Sequence, residues 1–382
     1  MPHIVVRRFN AVQTPFEEGG VKFLFFSVAD GDGIAGAEAF KCRFLLRYTR
    51  RGDKAILKVD KATRPPFLEI VKRALIAFAS AGGATIVAKN FDEIKQTAPS
   101  DRFYEPNEFI SNYDRSKKLW IEVGFGSGRH ILQNAKSFAD KLHLGAEIHR
   151  PSAERLLKRA KAEGVNNIAA LLCDAKMLLA ALPPNSSERV FVHFPVPWDK
   201  SPSRRVFCEP FVSEALRVLT KDGVLHLRAD DESYFTTALE IAQKFQNVTI
   251  ETKIDEEAIT RSKYEDRWRR MHKTIFDLFV IKRRERQTET IEYCFDFPDG
   301  AAKNSVALGL IAISERFLLR VNERRQLANG GFLMRLIMGD PLALQTLYLL
   351  QRTNRLCYFP SAPLPTRANF LAHRALIEAL YG

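Results

Sequence analysis

Residues 118–130 read KLWIEVGFGSGRH, and this stretch decides the fold. Its first part is a short apolar run that predicts a buried strand, and the residues after Gly128 have helical spacing. Between the two lie Gly124, Gly126 and Gly128, which permit a tight turn and the approach of a ligand to bare backbone. The stretch therefore predicts a strand, a glycine turn and a helix, with a ligand bound at the turn.

The segments that follow repeat this alternation. The strand-like runs LHLGAEI (142–148) and RVFVHF (189–194) alternate with the helix-like segments PSAERLLKRAKAEG (151–164) and EPFVSEALRVL (209–219). Such alternation is typical of an α/β fold with a doubly wound, mostly parallel sheet, whose ligands bind at the carboxyl ends of the strands.

Acidic residues lie at or near the ends of three predicted strands: Glu122, Glu147 and Asp174. Each alone is as easily an ordinary strand-end acid. Together they can hold a nucleoside, because an acid after the second strand can accept hydrogen bonds from both ribose hydroxyls, and Asp174 can accept one from an adenine amine. No phosphate-binding lysine follows the glycine turn. S-adenosylmethionine, which has a ribose and an adenine but no pyrophosphate, is therefore the predicted cofactor, with the three glycines as further contacts.

The composition fits a globular protein with a large core and a basic surface. The chain has 382 residues, 46% of them hydrophobic, and a net charge of +13. That charge favours polyanionic partners such as nucleic acid, although a surplus that serves solubility explains it equally well. The five cysteines are widely spaced, which argues against a disulfide framework or a zinc site. We find no signal peptide or membrane-spanning stretch and expect a cytoplasmic protein without membrane partners.

Three blocks are predicted along the chain. Residues 1–110 form an N-terminal α+β module, in which nine Lys or Arg between residues 41 and 64 are candidate RNA contacts or simply a solvated face. Residues 111–285 form the cofactor-binding domain. Residues 286–382 form a C-terminal α+β module without recognisable chemistry.

Six motifs of the middle block point to one enzyme family: EVGFGSGRH, GAEIH, CDA, VHFPVPWDKSPSRRVF, LRADDESYF and SKYEDRWRRMHKTIFDL. By their order and spacing the chain resembles the bacterial tRNA (guanine-N7-)-methyltransferases over residues 117–283, in a branch with N- and C-terminal extensions. The resemblance implies a class I S-adenosylmethionine-dependent methyltransferase with a Rossmann-like fold. It also implies that Glu122, Glu147 and Asp174 bind the cofactor.

The resemblance further implies which residues face the RNA. The substrate-binding positions are Lys200, Asp230, Ser262, Lys263 and Glu265. Cations on the same elements are expected to contact phosphates, which supply affinity rather than base identity. These candidates are Arg204, Arg205, Arg269 and Arg270.

The chain departs from the family pattern in the loop FPVPWDK. Val196 stands where most members have an aspartate, and Asp199 is a candidate to replace that carboxylate. Trp198 is expected either to stack on a base or to fill the core. His193 is expected to be a packed histidine and not a catalytic base.

The predicted function is transfer of a methyl group from S-adenosylmethionine to N7 of a guanosine in tRNA, by resemblance at position 46 of the variable loop. Guanine N7 has a lone pair and no proton, so the reaction needs no general base, and we assign no catalytic residue. Two alternatives stay open: a catalytically inactive RNA-binding protein, which Val196 supports, and a small-molecule methyltransferase. A nicotinamide oxidoreductase fits less well, because the third glycine comes one residue earlier than in GxGxxG.

Overall fold

A computed structural model of the protein shows two compact units. One consists of Ser100–Glu292, and the other combines Met1–Pro99 with Tyr293–Gly382. The structure describes residues 2–29, 31–40, 42–63, 65, 68–92, 94, 103–257, 271–285, 292–300, 302, 306–328, 330–352 and 355–382. Within these residues, no helix is long and apolar enough to cross a membrane.

The helices and strands follow one another in three blocks along the chain. The first block contains β1 (His3–Arg7), β2 (Phe16–Glu18), β3 (Val21–Ala29), β4 (Asp32–Ala39), β5 (Cys42–Arg51), β6 (Lys54–Val59), α1 (Leu68–Ala81) and β7 (Thr85–Lys89). The middle block contains β8 (Phe103–Tyr104), α2 (Pro106–Asn112), β9 (Leu119–Val123), α3 (Arg129–Ser137), β10 (Leu142–Ala146), α4 (Arg150–Ala162), β11 (Ile168–Leu171), α5 (Ala175–Ala181), β12 (Ser187–His193), a 3₁₀ turn (Pro202–Arg204), α6 (Glu209–Val218), β13 (Leu219–Ala229), α7 (Glu232–Gln243), β14 (Val248–Ile254) and β15 (Phe276–Lys282). The last block contains β16 (Gly309–Ile313), β17 (Leu318–Gln326), β18 (Phe332–Asp340), β19 (Ala343–Arg352), β20 (Arg355–Phe359) and α8 (Arg367–Tyr381).

The middle unit is built on one sheet, whose strand order is β14-β15-β13-β12-β9-β10-β11-β8. Its described strand pairs are parallel except those that β15 makes with β13 and β14. The chain proceeds from β9 through β10 to β11 on one side and then returns to β12 on the other. Ligands bind at such a reversal, outside the carboxyl ends of the strands. The doubly wound, mostly parallel sheet predicted from the sequence is confirmed.

The terminal blocks lie together in one unit, although the sequence suggested two separate modules. In this unit an antiparallel sheet of order β2-β3-β4-β5-β6-β1-β7 carries α1 on one face, and a second antiparallel sheet of order β16-β17-β18-β19-β20 carries α8. The boundary predicted at residue 110 also falls too late, because β8 pairs with β11 of the middle unit.

Apolar and ionic contacts join the two terminal sheets. Phe25, Ile34 and Leu45 of the first sheet form one buried cluster with residues of the second sheet and its flanking loops. Those partners are Leu327, Leu333, Tyr348, Leu350 and Phe359. Contacts between residues about 300 positions apart cannot be read from local sequence pattern, which explains why the sequence suggested independent modules.

His143 makes the stability of the middle unit depend on pH. This residue of β10 is 1% exposed, and its Nε2 lies 3.2 Å from the carbonyl of Phe138. Burial lowers the pKa of His143 from 6.5 to about 4, against the opposing effect of that carbonyl. The unfolded chain takes up a proton near pH 6.5 and the folded chain does not. Above pH 6.5 His143 is neutral in both states and costs no stability. As the pH drops toward 4, the free energy of unfolding should fall by about 3 kcal/mol, because only the unfolded chain gains the proton.

Urea unfolding followed by tryptophan fluorescence can measure this loss. The chain has three tryptophans, and all of them fall in the sequence between Ser100 and Glu292, so the signal reports on the middle unit. A His143→Gln variant keeps a donor for the Phe138 carbonyl but cannot titrate. Its loss of stability between about pH 7.5 and about pH 4.5 should be smaller than that of the parent by about 2–3 kcal/mol. Equal losses in the two proteins would contradict this role of His143.

Candidate active site

The glycine turn follows β9 at the carboxyl edge of the sheet. Gly124, Gly126 and Gly128 have φ angles of 65°, 51° and 70°, in the left-handed region that favours glycine. A Cβ on Gly128 would lie 2.7 Å from Leu156 Cδ1, so packing against α4 also requires glycine there. A Cβ on Gly124 would meet no atom within 4 Å. The backbone at Gly124 therefore borders open space that a ligand can occupy.

Glu147 binds the glycine turn from the end of β10. It is 8% exposed, and its Oε2 accepts the backbone N–H of Gly126 at 3.1 Å. Its Oε1 accepts the backbone N–H groups of Ile148 and His149, both at 2.9 Å. A carboxylate offers about four acceptor positions, so one remains for a ligand. The structure thus brings together two residues that the sequence predicted as cofactor contacts.

Glu122 is buried within β9 and paired with a residue that the sequence did not single out. Its Oε2 lies 2.8 Å from Nδ1 of His130, in the first turn of α3, and Glu122 is only 4% exposed. The sequence signal that could have indicated this pair is the histidine eight residues after Glu122 in KLWIEVGFGSGRH. The pair ties the start of α3 to the strand before the turn.

Asp174 lies beyond the end of β11 and is exposed. Its Oδ1 accepts the backbone N–H of Lys176 at 2.8 Å and caps the N-terminus of α5. Aspartate at this position stabilises a helix by satisfying an otherwise unpaired donor. Its other oxygen accepts no hydrogen bond from the described residues, so it is available for the predicted contact with a cofactor.

The loop after β12 holds a constrained backbone at the same edge. Phe194 and Trp198 both have a φ of 49°, and between them Pro195 and Pro197 fix their own φ angles. Non-glycine residues in this region are uncommon and cluster at functional sites. Val196 is 61% exposed and Trp198 is 39% exposed. Of the two roles expected for Trp198, filling the core is therefore excluded by its exposure.

Arg204 and Arg205 are adjacent but have different surroundings. Arg204 is exposed, and its guanidinium lies 5.0 Å from the centre of the Trp198 ring. Arg205 is 7% exposed, and it donates to the Pro197 carbonyl at 2.7 Å and to Thr237 Oγ1 at 3.2 Å. Arg205 thus anchors the loop to α7. This burial differs from the phosphate contact expected from the sequence, whereas Arg204 and the exposed Lys200 remain accessible.

Asp230 follows β13 and is partly exposed. Its Oδ2 is 2.8 Å from Nζ of Lys273, on the segment that leads into β15. The next residue, Asp231, caps α7 by accepting the backbone N–H of Tyr234 at 2.7 Å. The two acids after β13 therefore have different roles. Asp231 stabilises the start of α7, whereas Asp230 presents a carboxylate next to the ammonium group of Lys273.

Three histidines, which we call the histidine row, lie under this edge of the sheet. His130 and His193 have ring centres 4.5 Å apart, and Nε2 of His193 is 3.1 Å from Nδ1 of His226. Nε2 of His226 is 2.7 Å from Oδ1 of Asp277, which also pairs with Arg228. Desolvation, together with repulsion from the neighbouring histidines and Arg228, lowers the pKa of His193 well below 6.5, and desolvation also lowers the pKa of His226. His193 is therefore a packed neutral histidine, as expected.

The carboxyl edge of the sheet has two halves. Asp174, Glu147 and the glycine turn follow β11, β10 and β9, and the proline loop and Asp230 follow β12 and β13. Neighbouring strands are about 4.8 Å apart, so the site spans about 19 Å from β11 to β13. One half presents acids and open backbone, and the other presents a stiff loop with exposed cations.

Comparison with known proteins identifies the family. Residues 116–278 match the family described as "Putative methyltransferase". The chain is 36% identical to the tRNA (guanine-N(7)-)-methyltransferase of Wolinella succinogenes, over 100% of both chains. It is 33% identical to the Helicobacter pylori (strain ATCC 700392 / 26695) protein of the same name, over 100% of this chain and 98% of that one. This chain belongs to the tRNA (guanine-N(7)-)-methyltransferase family.

Membership of the tRNA (guanine-N(7)-)-methyltransferases confirms the resemblance deduced from the six motifs. The alignment with the Wolinella succinogenes protein runs beyond residues 116–278 to both ends of the chain. The terminal blocks are therefore shared with that relative. A Campylobacter jejuni (strain RM1221) protein of the same name is 35% identical over 73% of this chain and 72% of its own.

Five of the residues predicted in this family site lie outside the described residues. They are Ser262, Lys263, Glu265, Arg269 and Arg270. Their proposed contacts with guanosine and phosphate stay predictions.

Proposed function

We propose that this chain transfers the methyl group of S-adenosylmethionine to N7 of a guanosine in tRNA, at position 46 of the variable loop. The observation that carries the proposal is the full-length match to the Wolinella succinogenes tRNA (guanine-N(7)-)-methyltransferase. The arrangement at the carboxyl edge supports it, because acids for a nucleoside and cations for RNA flank one reversal of strand order. The reaction belongs in the cytoplasm, where tRNA is processed.

The residues present fit S-adenosylmethionine as the methyl donor, which supplies an activated methyl group on a sulfonium. Glu147 has one acceptor position left for a ribose hydroxyl after binding three backbone N–H groups. Asp174 presents an exposed oxygen that can accept from an adenine amine. The open space at Gly124 allows close approach to the backbone. Glu122 acts indirectly, since its Oε2 already pairs with His130.

Methyl transfer to guanine N7 depends on positioning and charge. N7 has an in-plane lone pair and no proton, so no side chain has to remove one. Correct alignment of two bound reactants can supply about 7–11 kcal/mol of the barrier. The purine becomes cationic as the bond forms. The carboxylate of Asp230 can stabilise that positive charge, just as the donors of an oxyanion hole stabilise a negative one. A base role for Asp230 would be indicated only if Asp230→Asn removed an ionisation from the pH–rate profile.

The proline loop positions the RNA on the other half of the site. Two prolines and two left-handed residues restrict the loop, so little conformational entropy is lost when a substrate binds. Arg205 holds the loop through its hydrogen bonds to the Pro197 carbonyl and to Thr237 of α7. Lys200 and Arg204 lie exposed on the loop. Stacking of Arg204 on Trp198 holds a planar cation and an aromatic ring together at the surface. Phosphates and a base can therefore bind there.

Mass analysis of nucleosides tests the proposal. Bulk tRNA incubated with the full chain and methyl-labelled S-adenosylmethionine should yield labelled 7-methylguanosine, and free guanosine should yield none, because the RNA-contacting cations would have no phosphates to bind. Absence of product with any tRNA would overturn the proposal.

One observation favours a second candidate, an inactive RNA-binding protein on the same scaffold. Val196 replaces the acid that the family resemblance implies, and Asp199, 71% exposed, lies 3.9 Å from Arg205 NH2. Measuring S-adenosylmethionine binding by calorimetry separates the two functions. Binding of tRNA without binding of the methyl donor would establish the second one.

A further inference from the structure

A basic surface lies on the face of the first terminal sheet that is opposite α1. Along β1, His3, Val5 and Arg7 point to this face, because Ile4 and Val6 are fully buried in the core beneath α1. The antiparallel register places β6 and β5 beside them in three rows of directly opposed residues. The rows are Arg47–Lys58–His3, Thr49–Ile56–Val5 and Arg51–Lys54–Arg7.

The second terminal sheet covers only part of this face. It packs over Phe25, Ile34 and Leu45, which belong to β3, β4 and the first half of β5. Arg47 marks the border, since it pairs with Asp60 and donates to Glu323 of β17 at 2.9 Å. Beyond that border the face is open, with Arg7, Arg51 and Lys58 exposed and Lys54 partly exposed.

The open part carries a net positive charge. Arg7, Arg51, Lys54 and Lys58 are its cations, and Asp53, in the turn between β5 and β6, pairs with Arg7 at 3.0 Å. Arg51, Lys54 and Lys58 have no ion-pair partner among the described residues. Lys54 lies directly between Arg51 and Arg7 in the sheet, and like charges in such opposed positions destabilise it. An anionic partner would remove this cost.

We propose that this face, which we call the β1-β5-β6 face, binds the phosphate backbone of the tRNA substrate. The inference rests on the proposed function. The two rows that carry cations are four residues apart along each strand, or about 13 Å, and cations within a row are about 4.8 Å apart. The row between them contains Thr49, Ile56 and Val5, which are small or half-buried. A flat, cationic surface of this kind suits the closely spaced charges of a nucleic acid and lacks a protruding apolar side chain for insertion into a lipid bilayer.

The charge-removal variant Arg51→Gln/Lys54→Gln/Lys58→Gln tests the proposal in the full chain. The affinity for tRNA, measured by fluorescence anisotropy without methyl donor, should fall about 10- to 100-fold near physiological salt. The slope of log affinity against log salt concentration should flatten by about 3, one for each lost phosphate contact. The melting temperature should stay equal or rise, because two like-charge pairs are removed.

A matched control removes three cations from the same unit at another place. Arg355→Gln/Arg367→Gln/Arg374→Gln changes the net charge equally, and all three arginines are exposed and have no ion-pair partner among the described residues. Its affinity and salt slope should stay close to those of the parent. Equal effects in the two triple variants, or none in the first, would overturn the proposal.

Two further measurements separate this surface from the active site and from other partners. The first variant should methylate tRNA with a raised KM and an unchanged kcat, since its substitutions lie in a different unit from the glycine turn. If the parent chain methylates no RNA, the proposed function fails, but the anisotropy result still decides whether the β1-β5-β6 face binds RNA. Binding of the parent to phosphatidylserine vesicles with no binding to tRNA would assign the face to a membrane and overturn the proposal.

Discussion

Replacing Asp277 with asparagine is expected to lower the free energy of unfolding of the middle unit by about 3–5 kcal/mol. Asp277 is fully buried on β15 and lies directly opposite Arg228 on β13. Both of its oxygens accept from NH1 of Arg228 at 2.9 Å, and Oδ1 is 2.7 Å from Nε2 of His226. An asparagine keeps the shape of the side chain but removes the buried negative charge that faces this guanidinium, which is only 3% exposed.

Asp222→Asn provides the matched control. Asp222 also pairs with an arginine, Arg283, at 2.8 Å, but the two side chains are 56% and 46% exposed. Exposed pairs contribute about 0–1 kcal/mol, because water screens the charges in both states. Urea unfolding monitored by tryptophan fluorescence should therefore separate the variants by at least about 2 kcal/mol. If Asp277→Asn lost as little stability as Asp222→Asn, the charge of Asp277 would not be needed for the stability of the unit, which would contradict the prediction.

A double variant distinguishes charge from packing. Arg228→Met/Asp277→Leu removes both charges and fills a similar volume, and such replacements are often neutral or stabilising. It should recover more than half of the stability lost in Asp277→Asn, with a remaining deficit from the unpaired Nε2 of His226. No recovery would mean that the loss comes from altered packing.

That the candidate site residues share one edge could be predicted from the sequence, because strand ends in a parallel sheet converge on one edge. The glycine turn, Glu147 and Asp174 each follow a strand that periodicity identifies, and the structure places all of them at that edge. Which atoms they contact could not be predicted. Glu147 uses three acceptor positions on backbone N–H groups, and those depend on the left-handed backbone of the turn.

Which charged side chains are buried could not be predicted from the sequence, because burial depends on residues far away in the chain. Arg204 and Arg205 are the same residue type in adjacent positions, yet one is exposed and the other is 7% exposed. Their difference depends on Thr237 and Tyr234 of α7, about 30 residues away, which pack on Arg205. Arg228 and Asp277 likewise become partners only through the register of antiparallel β15 against β13. The register between strands that are distant in the chain cannot be predicted from the local pattern of apolar residues.

Glu147→Gln is expected to raise the Kd for S-adenosylmethionine about 10- to 100-fold and to reduce methyl transfer at subsaturating cofactor by the same factor. A glutamine side chain has one oxygen, whereas Glu147 uses both of its oxygens to accept three backbone N–H groups. Either the Gly126 N–H or the pair from Ile148 and His149 would then face an amide donor. A hydrogen bond to a charged group contributes about 1.5–3 kcal/mol, which corresponds to this range of affinity.

The matched control for Glu147→Gln is Glu163→Gln, which removes one negative charge from the surface. Glu163, at the end of α4, pairs with Lys136 at 2.6 Å and Arg159 at 3.4 Å at the surface, away from the glycine turn. It loses the same charge, and its Kd for the cofactor should match that of the parent. Calorimetry measures both constants, and tryptophan fluorescence shows whether Glu147→Gln is folded. A folded Glu147→Gln protein that binds the cofactor as tightly as the parent would show that Glu147 supports the turn without contacting the ligand. The ribose would then have to be bound by other residues at the edge formed by β9, β10 and β11.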